Sequence, residues 1–152
     1  MVRVHTRRRG TAIVETEKGI LVTAGKNRMF LLPGGGAGRG ETRIEAAIRE
    51  LREETGLISY NAKLLFRHKG YPHKSHKHGY FVDYHTVCLI KADGTAKPHK
   101  EIAHVAYYKP GSDIRISSTT KEILHRYYRF KKSSRLKQEN TSLFHRIMDW
   151  LS

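Results

Sequence analysis

GGAGRGETRIEAAIRELREETGL, residues 35–57, carries Glu50, Glu53 and Glu54 near its end. Thr42, followed three residues later by Glu45, reads as the start of a helix with a capping box. Ile44, Ala47, Ile48, Leu51 and Thr55 recur at helical spacing, and Gly56 reads as the C-terminal cap. Glu50, Glu53 and Glu54 then stand at i, i+3 and i+4 and leave one face together. Like charges at those offsets destabilise a helix by a few tenths of a kcal/mol per pair. A solvated face is one reading of such charge. The other is an oxygen-rich cage for a hard divalent cation such as Mg2+, which would offset the repulsion and bridge to substrate phosphates.

The surrounding chain reads as strands and helices. GTAIVETEKGILVTAG suggests two short strands about the turn TEKG, and MFLLPGGG a strand running into a flexible glycine loop. NAKLLFRHKGY, HGYFVDYHTVCLIKAD and EIAHVAYYKPG read as further strands, SSTTKEILHRYYRF as a helix. After KKSSRLKQEN, the segment TSLFHRIMDWLS spaces Leu143, Phe144, Ile147, Met148, Trp150 and Leu151 as a second, amphipathic helix. Strands on both sides of a central helix predict an α/β fold, a mixed sheet covered by helices.

At 152 residues the chain has the length of one domain. A single cysteine, Cys88 in the apolar run TVCLI, excludes an intrachain disulfide and reads as a buried small hydrophobe. No stretch has the length of a membrane span, and the N-terminus lacks an apolar signal core. These features point to a cytoplasmic protein. Twenty-nine Lys and Arg against 14 Asp and Glu give a net charge of +15, a field that attracts phosphates and nucleic acid.

The pattern from Gly35 through Glu41, Arg49-Glu50-Leu51, Glu53-Glu54 and Gly56-Leu57 resembles the Nudix hydrolase signature at every specified position. The resemblance implies a MutT-like α/β/α sandwich with a mixed sheet, spanning residues 1–130, with 131–152 as an added C-terminal helical extension. That extension would pack on the same domain or on a partner copy, leaving monomer and homodimer both open. It implies Glu50, Glu53 and Glu54 as metal ligands for Mg2+ or Mn2+, with Glu41 reaching metal through water. Glu41 and Arg49 match a pair that braces the loop and helix. Gly34, Gly35 and Gly36 would let the backbone approach metal and phosphate. Hydrolysis of a diphosphate linkage then needs a proton acceptor, for which Glu50 inside the motif and Glu101 in the later KPHKEIAHVAYY are the candidates.

The motif leaves the substrate open. A nucleoside triphosphate is the first choice, and ADP-ribose or a nucleotide sugar the second. An RNA-processing enzyme or a non-catalytic nucleotide- or RNA-binding domain is the third, kept by the net charge. Gly36 and Ala24 stand where MutT-like guanine sanitisers carry basic residues. Pro72, fifteen residues beyond Leu57, stands where ADP-ribose pyrophosphatases carry proline. Arg8 and Arg9 are candidates for substrate phosphate, as are Lys74 and Lys77 in the histidine-rich tract RHKGYPHKSHKHGY, which reads as a basic lip or a metal-binding loop. Tyr80, Tyr84, Tyr107 and Tyr108 could stack a base or pack in the sheet.

Overall fold

The computed structural model describes residues 3–75 and 79–152 and resolves into two compact units, Met1–Thr120 and Lys121–Ser152. In the first unit the chain forms β1 (Val4–Ile13), β2 (Glu15–Thr16), β3 (Gly19–Ala24), β4 (Gly34–Gly36), α1 (Arg43–Thr55), β5 (Ile58–Lys69), β6 (His73–Ser75), β7 (Gly79–Asp93) and β8 (His104–Tyr108). β1 lies between β4 and β7, and β5 flanks β7 on the other side, with β6 also paired to β7. β1 runs parallel to β7, while β4, β5 and β6 pair antiparallel with their neighbours, so the sheet is mixed as expected. A second, antiparallel sheet joins β2, β3 and β8.

Most of the expected strands are present; the one expected over MFLL is not, since Leu31 and Phe30 make only isolated bridges to Thr23 and Ile116, and two further differences stand out. β1 reaches back through the basic stretch VHTRRRG, because each of its residues finds a partner on β7. The glycine run, expected as a flexible loop, is the strand β4: Gly34, Gly35 and Gly36 pair with Thr11, Gly10 and Arg9. Its partner is distant in sequence, and only the tertiary fold supplies the ladder that low local propensity would not.

α1 begins and ends where its local chemistry dictates. The Thr42 hydroxyl accepts the Glu45 N–H at 3.1 Å and donates to the Glu45 carboxylate at 2.9 Å. Gly56, at φ 77°, closes the helix with its N–H on the Arg52 carbonyl. The apolar side of α1 buries Ala46, Ala47 and Leu51, which join Ala12, Val14, Leu21, Cys88 and Ile90 in the core. Gly10 permits this docking. A Cβ there would fall 1.9 Å from the Arg43 carbonyl oxygen and 2.5 Å from the Ala47 nitrogen, both backbone atoms.

α2 (Ser118–Leu151) starts behind Ser117, whose hydroxyl accepts the Thr120 N–H at 3.1 Å. It is one helix of 34 residues, where two helices and a connection were expected. The connecting sequence KKSSRLKQEN has no glycine or proline and is rich in Lys, Arg, Leu, Gln and Glu, all of which favour continuation. Within the second unit Ile123, Leu124 and Tyr127 are buried, while Leu143, Phe144, Ile147, Met148, Trp150 and Leu151 are exposed. No helix among the described residues is long and apolar enough to cross a membrane.

Candidate active site

α1, β1 and β4 bring the chemistry together in a cleft of about 600 Å³. Glu50 and Glu54 enter it from α1, Arg7 and Arg9 from β1, Gly34–Gly36 from β4, and Glu101 from the loop before β8. Lys26, Asn27 and Met29, in the loop after β3, form part of its wall. Strand parity selects the arginines. Arg7 and Arg9 share one face of the sheet, and Arg8 points to the other, into a separate groove.

The glutamate face is held by Arg49. Its guanidinium donates to both Glu41 oxygens, at 2.7 and 3.0 Å, and to the Gly36 carbonyl at 3.1 Å. It also reaches Glu50 at 3.0 Å and Glu53 at 3.2 Å, and Lys100 adds a second cation 3.3 Å from Glu53. Within the fold the like charge of Glu50 and Glu53 is therefore offset by Arg49 and Lys100. Glu53 is turned toward Arg49 and Lys100, and among the described residues no three His, Cys, Asp or Glu side chains form a metal cluster. The cage expected from helical spacing is thus not preassembled. The hydrogen bond from Arg49, helped by the Gly38 N–H, holds the Glu41 carboxyl down at about 2, and Glu41 and Glu50 raise Arg49 in turn.

Among the described residues, two buried side-chain polar atoms remain without a partner: Oε2 of Glu54 and Nε of Arg9. Burial pushes the Glu54 carboxyl up to about 8, with Glu50 and Glu101 adding repulsion against the Gly34 N–H and the Arg9 charge. Burial also lowers Arg9, and the neighbouring Arg7 charge adds to this. An orphaned carboxylate oxygen and an orphaned guanidinium N–H in one cleft match a cation and an anion bound together, since isolated buried polar groups of this kind are costly. Gly35 makes the Glu50 position possible, because a Cβ there would fall 2.5 Å from its carboxyl carbon.

Asp83 organises the arginines. It accepts from Arg7 at 2.7 Å on Oδ1 and 3.0 Å on Oδ2, and Oδ2 also lies 3.6 Å from Arg9 and 3.0 Å from His73 Nε2. Burial alone would raise Asp83, but the Arg7 hydrogen bond and the two arginine charges hold it at about 2. Arg9 further donates to the Gly34 carbonyl at 3.1 Å. The sequence reading missed Asp83 and Arg7. Their signal was a carboxylate inside the alternating strand YFVDYHTVCLI, where a buried charge demands a partner.

Of the other candidates, Lys74 sits on β6 opposite Tyr80 and does not line the cleft. Lys77 lies outside the described residues. Tyr107 and Tyr108 are half-buried in β8, Tyr80 and Tyr84 exposed on β7.

The family model described as the NUDIX domain matches residues 5–127. A Chromobacterium violaceum protein described as a nudix hydrolase family member is 39% identical, with 88% of this chain and 87% of that one covered and a TM-score of 0.69. The MutT NUDIX hydrolase from Burkholderia pseudomallei shares the fold at 20% identity, over 80% of this chain and 97% of its own, with a TM-score of 0.63. An ADP-ribose pyrophosphatase of Methanocaldococcus jannaschii is 46% identical over 57 residues, a match that spans 35% of this chain and 34% of that protein. The fold and the signature define a mixed α/β Nudix domain, and the chain belongs to the Nudix hydrolase family.

Proposed function

We propose that the protein is a pyrophosphohydrolase that cleaves the diphosphate linkage of a nucleoside diphosphate joined to another group, an ADP-ribose or nucleotide-sugar type of substrate. The observation that carries the hydrolase reading is the pairing of the unsatisfied Glu54 and Arg9 atoms in one cleft. The short, 46% identical match to an ADP-ribose pyrophosphatase moves the substrate choice away from a nucleoside triphosphate, which becomes the second choice.

The donor set fits a hard divalent ion: Glu50 and Glu54, with Glu53 released from Arg49, would hold Mg2+ or Mn2+, which neutralises phosphate charge and lowers the pKa of a bound water. The chain supplies the rest. Arg9, held by Asp83 and the Gly34 carbonyl, presents its free Nε–H to a phosphate oxygen. Arg7 on the same face adds charge to the second phosphate. The backbone of Gly34–Gly36 offers close approach without side chains in the way. Glu50 or Glu101, both lining the cleft, accepts the proton of the attacking water. Glu101→Gln separates them, because Glu101 is not among the proposed ligands: turnover lost at neutral and alkaline pH alike assigns the base to Glu101, and turnover kept assigns it to Glu50. The single cysteine, Cys88, is free and buried, which supports placing this activity in the reducing cytoplasm.

The test is a panel of ADP-ribose, nucleotide sugars and nucleoside triphosphates with Mg2+, with products resolved. Highest kcat/KM on ADP-ribose, giving AMP and ribose 5-phosphate, is the expected result. Highest kcat/KM on a triphosphate with release of pyrophosphate would return the triphosphate reading. No turnover on any member would overturn the hydrolase reading.

A further inference from the structure

The face of the main sheet opposite the catalytic arginines carries a second groove, of about 430 Å³. Its cations come from adjacent rungs. Arg8 on β1, Tyr84 on β7 and Lys69 on β5 share one rung, and Gly10, Thr86 and Arg67 share the next. All of these residues have the same strand parity, so they project from one face. Because Gly10 has no side chain, the first turn of α1 settles onto that rung and brings Arg43 to the groove wall.

Arg8, Arg43, Arg67 and Lys69 therefore line one concave surface. Tyr84, 42% exposed, stands between Arg8 and Lys69, with the Lys69 ammonium 5.8 Å from its ring centroid. Rungs of the same parity lie about 7 Å apart along a strand. That spacing suits a ligand with successive phosphates, and an exposed ring beside them suits a base.

We propose that this groove binds the backbone of a single-stranded nucleic acid, separately from the catalytic cleft. Several cations across two rungs, an exposed aromatic ring and a net charge of +15 are the features such a strand recognises. The proposal does not depend on which small substrate the catalytic cleft hydrolyses.

The probe is a short, fluorescently labelled single-stranded oligoribonucleotide with a 5′-hydroxyl, which offers no diphosphate linkage to cut. Anisotropy across a salt series is read for the full chain and for Arg67→Ala with Lys69→Ala. Expected is a loss of affinity of about tenfold or more and a fall of about 1.4 in the salt slope, from ~0.7 per single-strand phosphate contact. Hydrolysis of the small substrate stays unchanged in the same variant. Lys63→Ala with Lys91→Ala, at the other end of the same two strands, is the charge control. Equal weakening by the control would reduce binding to net charge and overturn the proposal, as would unchanged affinity in the groove variant. A mononucleotide that competes as well as the strand would assign the groove to a free nucleotide and overturn the strand assignment. Should Arg67→Ala with Lys69→Ala not fold, Arg8→Gln with Lys69→Gln carries the same binding readouts.

Discussion

The residue on which the cleft depends most is Glu54. It is buried, its carboxyl is pushed up to about 8, and one of its oxygens has no partner. Glutamine has nearly the same shape and stays neutral, so Glu54→Gln keeps the fold while removing the charge that a cation would need. We expect kcat/KM to fall by at least ~100-fold with the melting temperature preserved. Near-normal turnover at limiting Mg2+ would remove Glu54 from the proposed ligands. His85 offers a test of a different kind. Its Nδ1 is 2.8 Å from the Thr11 hydroxyl, and burial, aided by the Arg9 charge, lowers it to about 4 from an ordinary 6.5. The unfolded chain therefore binds the proton that the folded chain refuses. Stability rises with pH through the window from about 4 to 6.5 and is lost as pH falls through it, by up to about 3 kcal/mol. His85→Gln should flatten that part of the melting profile, and an unchanged slope would place the acid sensitivity elsewhere.

Among the elements, the docking of α1 on β1 positions both Glu50 and Glu54, and Gly10 is where it can be broken. A methyl group at that position meets the backbone of Arg43 and Ala47, which cannot rotate away. Gly10→Ala should cost about 1–3 kcal/mol or more, read as a lower urea midpoint, and reduce turnover by shifting the helix. An unchanged midpoint would show that α1 does not need this contact. The limits of α1 were legible in the sequence because Thr42, Glu45 and Gly56 act on neighbouring backbone groups. The carboxylate spacing was legible for the same reason. What Glu53 does was not, since its partners are Arg49 and Lys100, and a helical wheel carries no information about Lys100. The choice of Arg7 and Arg9 over Arg8 was hidden too, because strand parity becomes a direction only when β1 pairs with β7. The strand character of Gly34–Gly36 likewise depends on a distant partner. The unbroken α2 is a different case: KKSSRLKQEN holds no glycine or proline, so its local composition already favours one continuous helix.

At the scale of the whole molecule, the +15 charge should be felt by any anionic substrate before contact. KM should rise with ionic strength while kcat changes little, because screening weakens long-range attraction and leaves the buried cleft alone. The C-terminal segment raises a separate question. Leu136, Leu143, Phe144, Ile147, Met148, Trp150 and Leu151 are all exposed, Trp150 at 85%. Burying each would stabilise the protein by roughly 1.5–3 kcal/mol, so a stripe of this size left in water forgoes a large gain. We propose that residues 131–152 are an extension whose stripe is covered by the same domain or by a second copy of the chain. Every residue named in the catalytic cleft precedes residue 121, the first of the second unit. Truncation after Phe130 should therefore leave the diphosphatase chemistry in place. It should also lower the melting temperature if the domain covers the stripe, or reduce the sedimenting mass if a second copy does. A shortened chain that keeps both its melting temperature and its oligomeric state would show that nothing covers the stripe, and the extension would lose its proposed role.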